Sequence, residues 1–217
     1  MTPSDALNQC DTGISLLGGG GHALVVADSL LSVGRSVAGF FDDANDAAIG
    51  TPGLSGQSVP PKLGDLESLT ARSLAGKPWL VCLGDLKLRR GLIDRLYAAE
   101  EDAASVVHPN AIVSEQAVIA GGVFVGPGAV INARARVLDH AIINSGAIVE
   151  HDCLIAENAH IAPGAVLGGN VKVGNDTLVG LGSRVLPGVS IGRGCTVGAG
   201  TVVLKDLPDG ATAAGVW

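Results

Sequence analysis

From Val106 to Leu207 the chain repeats in sixes with no insertion. Counted from Val106, the second place of each hexad runs Val107, Val113, Ile119 and so on to Val203, and all 17 are Val, Ile or Leu. The sixth place is Ala, Val, Ser, Thr or Cys in 16 of the 17, with Leu207 as the exception. Sixth and second places lie two residues apart, so on a strand they point to one side. Each hexad therefore predicts a short strand with one small and one branched side chain turned inward. Gly, Asn and Asp at the intervening places, as in Gly126-Pro127-Gly128 and Gly174-Asn175-Asp176, turn the corners. Three strands and three corners close a triangular coil of 18 residues, and 17 hexads make nearly six coils. A flat sheet of hairpins would need longer alternating runs and turns of varied length. Aromatics are 3% of the chain, as suits a prism too narrow for rings.

Upstream the period changes. Ile14-Ser15-Leu16-Leu17, Val37 to Phe41 and Trp79 to Leu83 predict strands. His22 to Ser32 and Lys87 to Ala99 predict helices, and Ala44 to Pro61 a loop. Alternating strands and helices imply a small parallel α/β sheet, half of a Rossmann-like unit. The expected organisation is a loose N-terminus over 1–12, an α/β domain over 13–105, the repeat over 106–207 and a tail over 208–217.

Net charge is −7, with no Lys/Arg cluster, which argues against nucleic acid and against a polybasic membrane anchor. The most apolar run, Ala117 to Ile131, is shorter than the roughly 20 residues of a spanning helix. Four cysteines without a C-x-x-C pair fit reduced thiols in the cytoplasm, and the N-terminus shows no signal peptide.

Two regions offer chemistry. Gly18-x-Gly20-x-x-Ala23 follows a strand, with Asp42 about twenty residues on, which matches the phosphate-binding fingerprint of dinucleotide sites. With only one half-unit before the repeat, one nucleotide fits better than NAD; a purely structural turn is the alternative. In the repeat, His151 stands at a corner and His160 at an outward strand position. Imidazole suits a general base for acyl transfer, and Asp152 or Glu150 could hold its tautomer. An ordinary exposed corner histidine is the other possibility. A zinc site from His151, Cys153 and His160 is disfavoured, since Cys153 faces inward and the histidines outward. His151 and His160 lie nine residues apart, half a coil, so a single site using both needs two subunits.

Gly20-Gly21-His22-Ala23, Phe41-Asp42-Asp43, Leu83-Gly84-Asp85, Ile131-Asn132-Ala133, Asn144-Ser145-Gly146, Glu150-His151-Asp152-Cys153 and Val185-Leu186-Pro187-Gly188 together resemble the nucleotide-aminosugar N-acetyltransferases of the bacillosamine and perosamine type, relatives of the sialic-acid O-acetyltransferases. The resemblance implies a left-handed parallel β-helix, a homotrimer with shared sites, acetyl-CoA as co-substrate and no metal. It implies His151 as base with Asp152 orienting it, and His160, Gly169 and Leu181 along the acetyl-CoA cleft. It places Gly20, Gly21, His22, Asp42, Asp43 and Gly84 around a nucleotide-linked amino sugar. Asp85 departs from the Asn common in the family. Where the family commonly continues past Gly-Val with Pro-Ala-Lys, this sequence stops at Gly215-Val216-Trp217, which leaves open either a cut chain or a different CoA-side tail. A sugar O-acetyltransferase and a non-catalytic nucleotide-sugar-binding protein are the competing expectations, and UDP versus GDP and the sugar's stereochemistry stay open.

Overall fold

The computed structural model describes residues 13–51, 59–74, 76–97 and 103–217. The N-terminus over 1–12, expected to be loose, lies outside them, as do Ala98 and Ala99 of the second expected helix.

The N-terminal part is a four-stranded parallel sheet of β1 (Ile14–Leu17), β2 (Val37–Phe41), β3 (Lys62–Gly64) and β4 (Trp79–Val81), in the order β3-β2-β1-β4. Helix α1 (Gly21–Ser32) links β1 to β2, and α2 (Leu86–Tyr97) follows β4. Strand β3 was not expected. It is three residues long with Lys62 and Leu63 exposed, so no alternation marks it. A short 3₁₀ turn at Ala48–Gly50 lies within the expected loop, buries Ile49, and hydrogen-bonds to Gly19. Chain order reverses between β1 and β4, the point where open parallel sheets take ligands beyond their strand ends.

The repeat forms a left-handed parallel β-helix of two-residue strands in three sheets. Strand partners are 18 residues apart, as in Arg136 with Leu154 and Ile142 with His160. Second- and sixth-place residues from Val123 to Ala213 build one continuous core. Thr212–Ala213 pairs with Thr196–Val197, so coiling goes on into the segment expected to be a tail.

First-place residues point outward and give each face its character. The first face presents Val106, Phe124, Ile142, His160 and Leu178. Its lower end is covered by the N-terminal part: Val106, Phe124 and Ile142 share a core with Val26, Leu30, Phe40 and Leu80. Burying each such side chain contributes about 1.5–3 kcal/mol. The second face presents Ile112, Val130, Ile148, Val166, Arg184 and Val202, and the third Val118, Arg136, Leu154 and Lys172.

The corners share one backbone device. All fourteen fifth-place residues from Gly122 to Gly200 have φ in the left-handed region. Eight are Gly, and Asn158, Asn170, Asp152, Asp176 and His140 are types that tolerate it. The other is Arg134, with φ 60.

One corner ladder docks α2. His140, Asn158 and Asp176 follow one another at 18-residue steps. Arg89, fully buried, donates to Asn158 Oδ1 at 2.8 Å and to the carbonyls of Val81 and His140. Arg90 pairs with Glu157 at 2.7 Å and Asp176 at 2.9 Å. Trp79 stacks on His140 at 5.5 Å between ring centroids.

Candidate active site

The glycine turn after β1 is closed by its own strand end. Gly18 takes φ 112, and a Cβ there would stand 2.7 Å from Leu83, so β1 and β4 converge only around glycine. Asp42 accepts the Gly19 N–H at 2.6 Å and the Ala44 N–H at 2.8 Å, so its carboxylate shapes the turn. Asp43 accepts the Glu67 N–H at 3.2 Å and borders a cleft of about 340 Å³ with Leu66, Leu83, Lys87 and Arg95. Gly20 is the N-cap of α1 and brings no side-chain cap, and Gly20 and Gly21 have open space where a Cβ would stand. Such a helix start suits a phosphate. Gly84, after β4, is exposed. Asp85 caps α2, accepting the N–H groups of Lys87 at 2.8 Å and Leu88 at 2.9 Å. The departure from Asn thus has a local use, since both residue types cap helices well.

His22, in the first turn of α1, meets the first face of the prism. Its ring stands edge-on to Phe124 at 5.2 Å and 6.4 Å from the ring of His160. His160 was expected to be outward, and it is outward from the prism, but α1 half-buries it. Burial first, then the charge of Arg89, pushes His22 down to about 4 and His160 to about 3. The His160 tautomer follows from its neighbour. The Ser145 backbone N–H donates to Asn144 Oδ1 at 2.8 Å, which turns Asn144 Nδ2 toward His160 Nε2 at 3.1 Å. His160 Nε2 is then an acceptor, and the proton sits on Nδ1. That Nδ1 and His22 Nε2 are buried with no hydrogen-bond partner among the described residues, as suits polar atoms that meet a ligand.

His151 is on the corner between the second and third faces. Its Nδ1 lies 2.8 Å from Asp152 Oδ2, and its side chain is 58% exposed. Asp152 also takes a fork from Arg134, Nε to Oδ1 at 2.6 Å and Nη2 to Oδ2 at 2.7 Å. Arg134 first and His151 second hold the Asp152 carboxyl well below the usual carboxylate range. One coil on, a Cβ at Gly169 would stand 2.5 Å from His151 Nε2. A side chain at this place would have to push the exposed ring aside. Leu181 is exposed on the corner between the first and second faces.

One chain therefore brings together His151, Asp152 and Gly169 at one edge, and His22 and His160 at another place. Leu181 joins neither group. Cys153 is buried in the prism core, with its thiol on the Gly168 carbonyl at 3.2 Å. Among the described residues no group of three His, Cys, Asp or Glu is placed to hold a metal. Sequence reasoning missed Arg134. Its signal was an arginine at the place where neighbouring hexads have Gly, Asn, Asp or His.

Residues 13–96 match the PglD N-terminal domain family, and residues 134–169 and 170–205 the bacterial transferase hexapeptide (six repeats) family. A search of curated proteins gives no match. Among solved structures, PerB from Caulobacter crescentus in complex with CoA and GDP-perosamine is 38% identical, with a TM-score of 0.83 over 94% of each chain. A histidine-to-asparagine variant of perosamine N-acetyltransferase from the same organism, also with CoA and GDP-perosamine, is 39% identical, with a TM-score of 0.82 over 94% of this chain and 93% of that one. The acetyltransferase domain of PglB from Neisseria gonorrhoeae FA1090 is 33% identical, with a TM-score of 0.81 over 94% of this chain and 96% of that one.

Proposed function

The chain belongs to the hexapeptide-repeat N-acetyltransferases of nucleotide-linked amino sugars, and we propose that it moves the acetyl group of acetyl-CoA to the 4-amine of a UDP- or GDP-linked 4-amino-4,6-dideoxy sugar for bacterial surface glycans. The observation behind the chemistry is the exposed His151–Asp152 pair with Nε2 set over Gly169.

Asp152 is ionised and can only accept, so the Nδ1–H of His151 donates a hydrogen bond to it and the proton stays on Nδ1. Nε2 is left with its lone pair. Acetyl-CoA supplies an acyl thioester, and the neutral sugar amine adds to its carbonyl while Nε2 takes the amine proton. The C–N bond forms, the C–S bond breaks and CoA leaves as thiolate. The ladder above His151 suits the donor. Gly169, Pro187 and Lys205 follow at 18-residue steps, and Pro187, Gly188, Leu204 and Lys205 border an open cleft of about 570 Å³. Gly20, Gly21 and His22 at the start of α1, with Asp43 and Gly84, suit the nucleotide sugar. His160, whose Nδ1–H has no partner among the described residues, suits an acceptor group on the donor.

The assembly is a homotrimer in this account. His151 is on a different edge from His22 and His160, so a complete site needs a neighbour's corner. The second face offers the surface for it, with Ile112, Val130, Ile148 and Val166 in one outward row. Light scattering is expected to give three times the 21.6 kDa of one chain. We place the enzyme in the cytoplasm, a reading supported by the free thiols of Cys82, Cys153 and Cys195. Among the described residues no helix is long and apolar enough to cross a membrane.

The test is CoA release with UDP-, GDP- and dTDP-linked 4-amino sugars, with CMP-sialic acid and free sialic acid as controls, for the parent and H151N. Turnover of an amino sugar, lowered about 10²–10⁴-fold in H151N with acetyl-CoA binding kept, is the expected result. Near-parental turnover by H151N removes His151 from the role of base. Turnover of sialic acid alone makes the enzyme an O-acetyltransferase.

A further inference from the structure

Arg134 stands one coil below Asp152 on the same corner, 18 residues earlier. Its guanidinium meets both carboxylate oxygens, at 2.6 and 2.7 Å, and the oxygen bound by Nη2 is the one that meets His151 Nδ1. An arginine fork on a carboxylate fixes the plane of both groups, which a lysine cannot do. A second observation is independent of this contact. Arg134 has φ 60, and at the other thirteen corner positions from Gly122 to Gly200 the left-handed backbone falls to Gly, Asn, Asp or His. Arginine has no preference for that conformation, and strain of this kind persists where the surrounding structure holds it, often at functional sites.

We propose that Arg134 is a positioning residue for acetyl transfer: it locks the Asp152 carboxylate so that His151 keeps Nδ1 on the acid and Nε2 over Gly169. The proposal rests on His151 as the base. The charged groups facing His151 are few. On its own corner they are Asp152 and Glu150, whose Oε2 accepts the His151 N–H at 3.3 Å. The coil below brings Arg134 beside the neutral Asn132 and Ala133. The coil above brings Gly168, Gly169 and Asn170, all uncharged. Without Arg134, the Asp152 carboxylate is free to turn, and its charge falls on the imidazole unshared.

The experiment compares R134G, R134K and H151N with the parent, using acetyl-CoA and the better of a GDP-linked and a UDP-linked 4-amino-4,6-dideoxy sugar. R134G relieves the backbone strain, so its Tm is expected to equal or exceed the parent's. Its kcat is expected to fall about ten-fold through a misaimed base, with KM for acetyl-CoA within about two-fold. The acid limb of its kcat/KM profile is expected to move to higher pH, since an unshared Asp152 charge favours the imidazolium. R134K, with the charge but not the fork, is expected to restore most of the pH limb and only part of kcat. Parental kcat and pH profile in R134G overturn the proposal. So does a loss of kcat with the acid limb unmoved, which is what a purely structural corner residue would give. H151N separates the two layers. If it is inactive while R134G is normal, only the role of Arg134 fails; if H151N is active, the base assignment fails.

Discussion

Arg89 Nε donates to Asn158 Oδ1 at 2.8 Å, a buried bond that ties α2 to a corner of the prism. Among the described residues the remaining acceptors of Arg89 are the carbonyls of Val81, Leu83 and His140, with no carboxylate among them. Burial pushes its guanidinium down to about 10, so it is still a cation at neutral pH. R89M removes the cation but leaves buried acceptors on both sides of the junction. The expected loss is about 3 kcal/mol, or roughly 6–12 °C in Tm for a chain of this size. Calorimetry is expected to show it as an earlier transition of the N-terminal part. A change under about 1 °C would mean that apolar packing of Phe124 and Ile142 is enough for docking.

Gly169 is the second place to probe. Its backbone φ is not in the left-handed region, so alanine suits the chain locally, yet the added Cβ would stand 2.5 Å from His151 Nε2. G169A must push the ring aside. Its kcat is expected to drop on the order of 10²-fold, with Tm little changed. Steady-state kinetics with a melting curve checks both. Unchanged kcat would mean that the ring has another productive position.

Acid should loosen the junction before carboxylates begin to titrate. His22 and His140 are pushed down to about 4 and His160 to about 3, each chiefly by burial. The ordinary value is 6.5. With folded values below the unfolded one, the unfolded chain binds more protons, so stability is fully present above about 6.5 and is lost as pH falls toward 4. Tm is expected to decline between pH 6.5 and 5. H22N, which no longer titrates there, is expected to decline less steeply. A flat Tm over that interval would place these imidazoles in contact with solvent.

The prism was legible because a buried second place demands Val, Ile or Leu every six residues, and the sixth place has room only for a small group. The glycine turn and the His151–Asp152 pair were legible in the same way, as residue types at fixed places. Strand β3 was not, since Lys62 and Leu63 are exposed and the pairing is supplied by β2. Neither was Arg89. An arginine in a helix is ordinarily a solvated residue, and only the meeting with Asn158 and His140 shows it buried. The half-buried His160 was read as outward because its hexad place reports which way it leaves the prism, not what then covers it. Asp85, a departure from the family's Asn in the sequence, shows its purpose only in the structure, where it caps α2.

The 18-residue step of the docking ladder from His140 to Asp176 makes the molecule a ruler graduated in two units. Removing a whole coil shortens the prism by about 4.8 Å and leaves every face pointing as before. Removing a single hexad between the Asp139–His140 corner and His151 would swing the histidine through a third of a turn, onto the edge between the first and second faces where Leu181 stands. Height along the axis and bearing around it are thus set by separate increments of sequence. Natural or engineered length changes beyond Gly200 could adapt the enzyme to a different donor reach without moving the base, whereas a change between His140 and His151 that is not a multiple of 18 would re-address the base to the wrong neighbour.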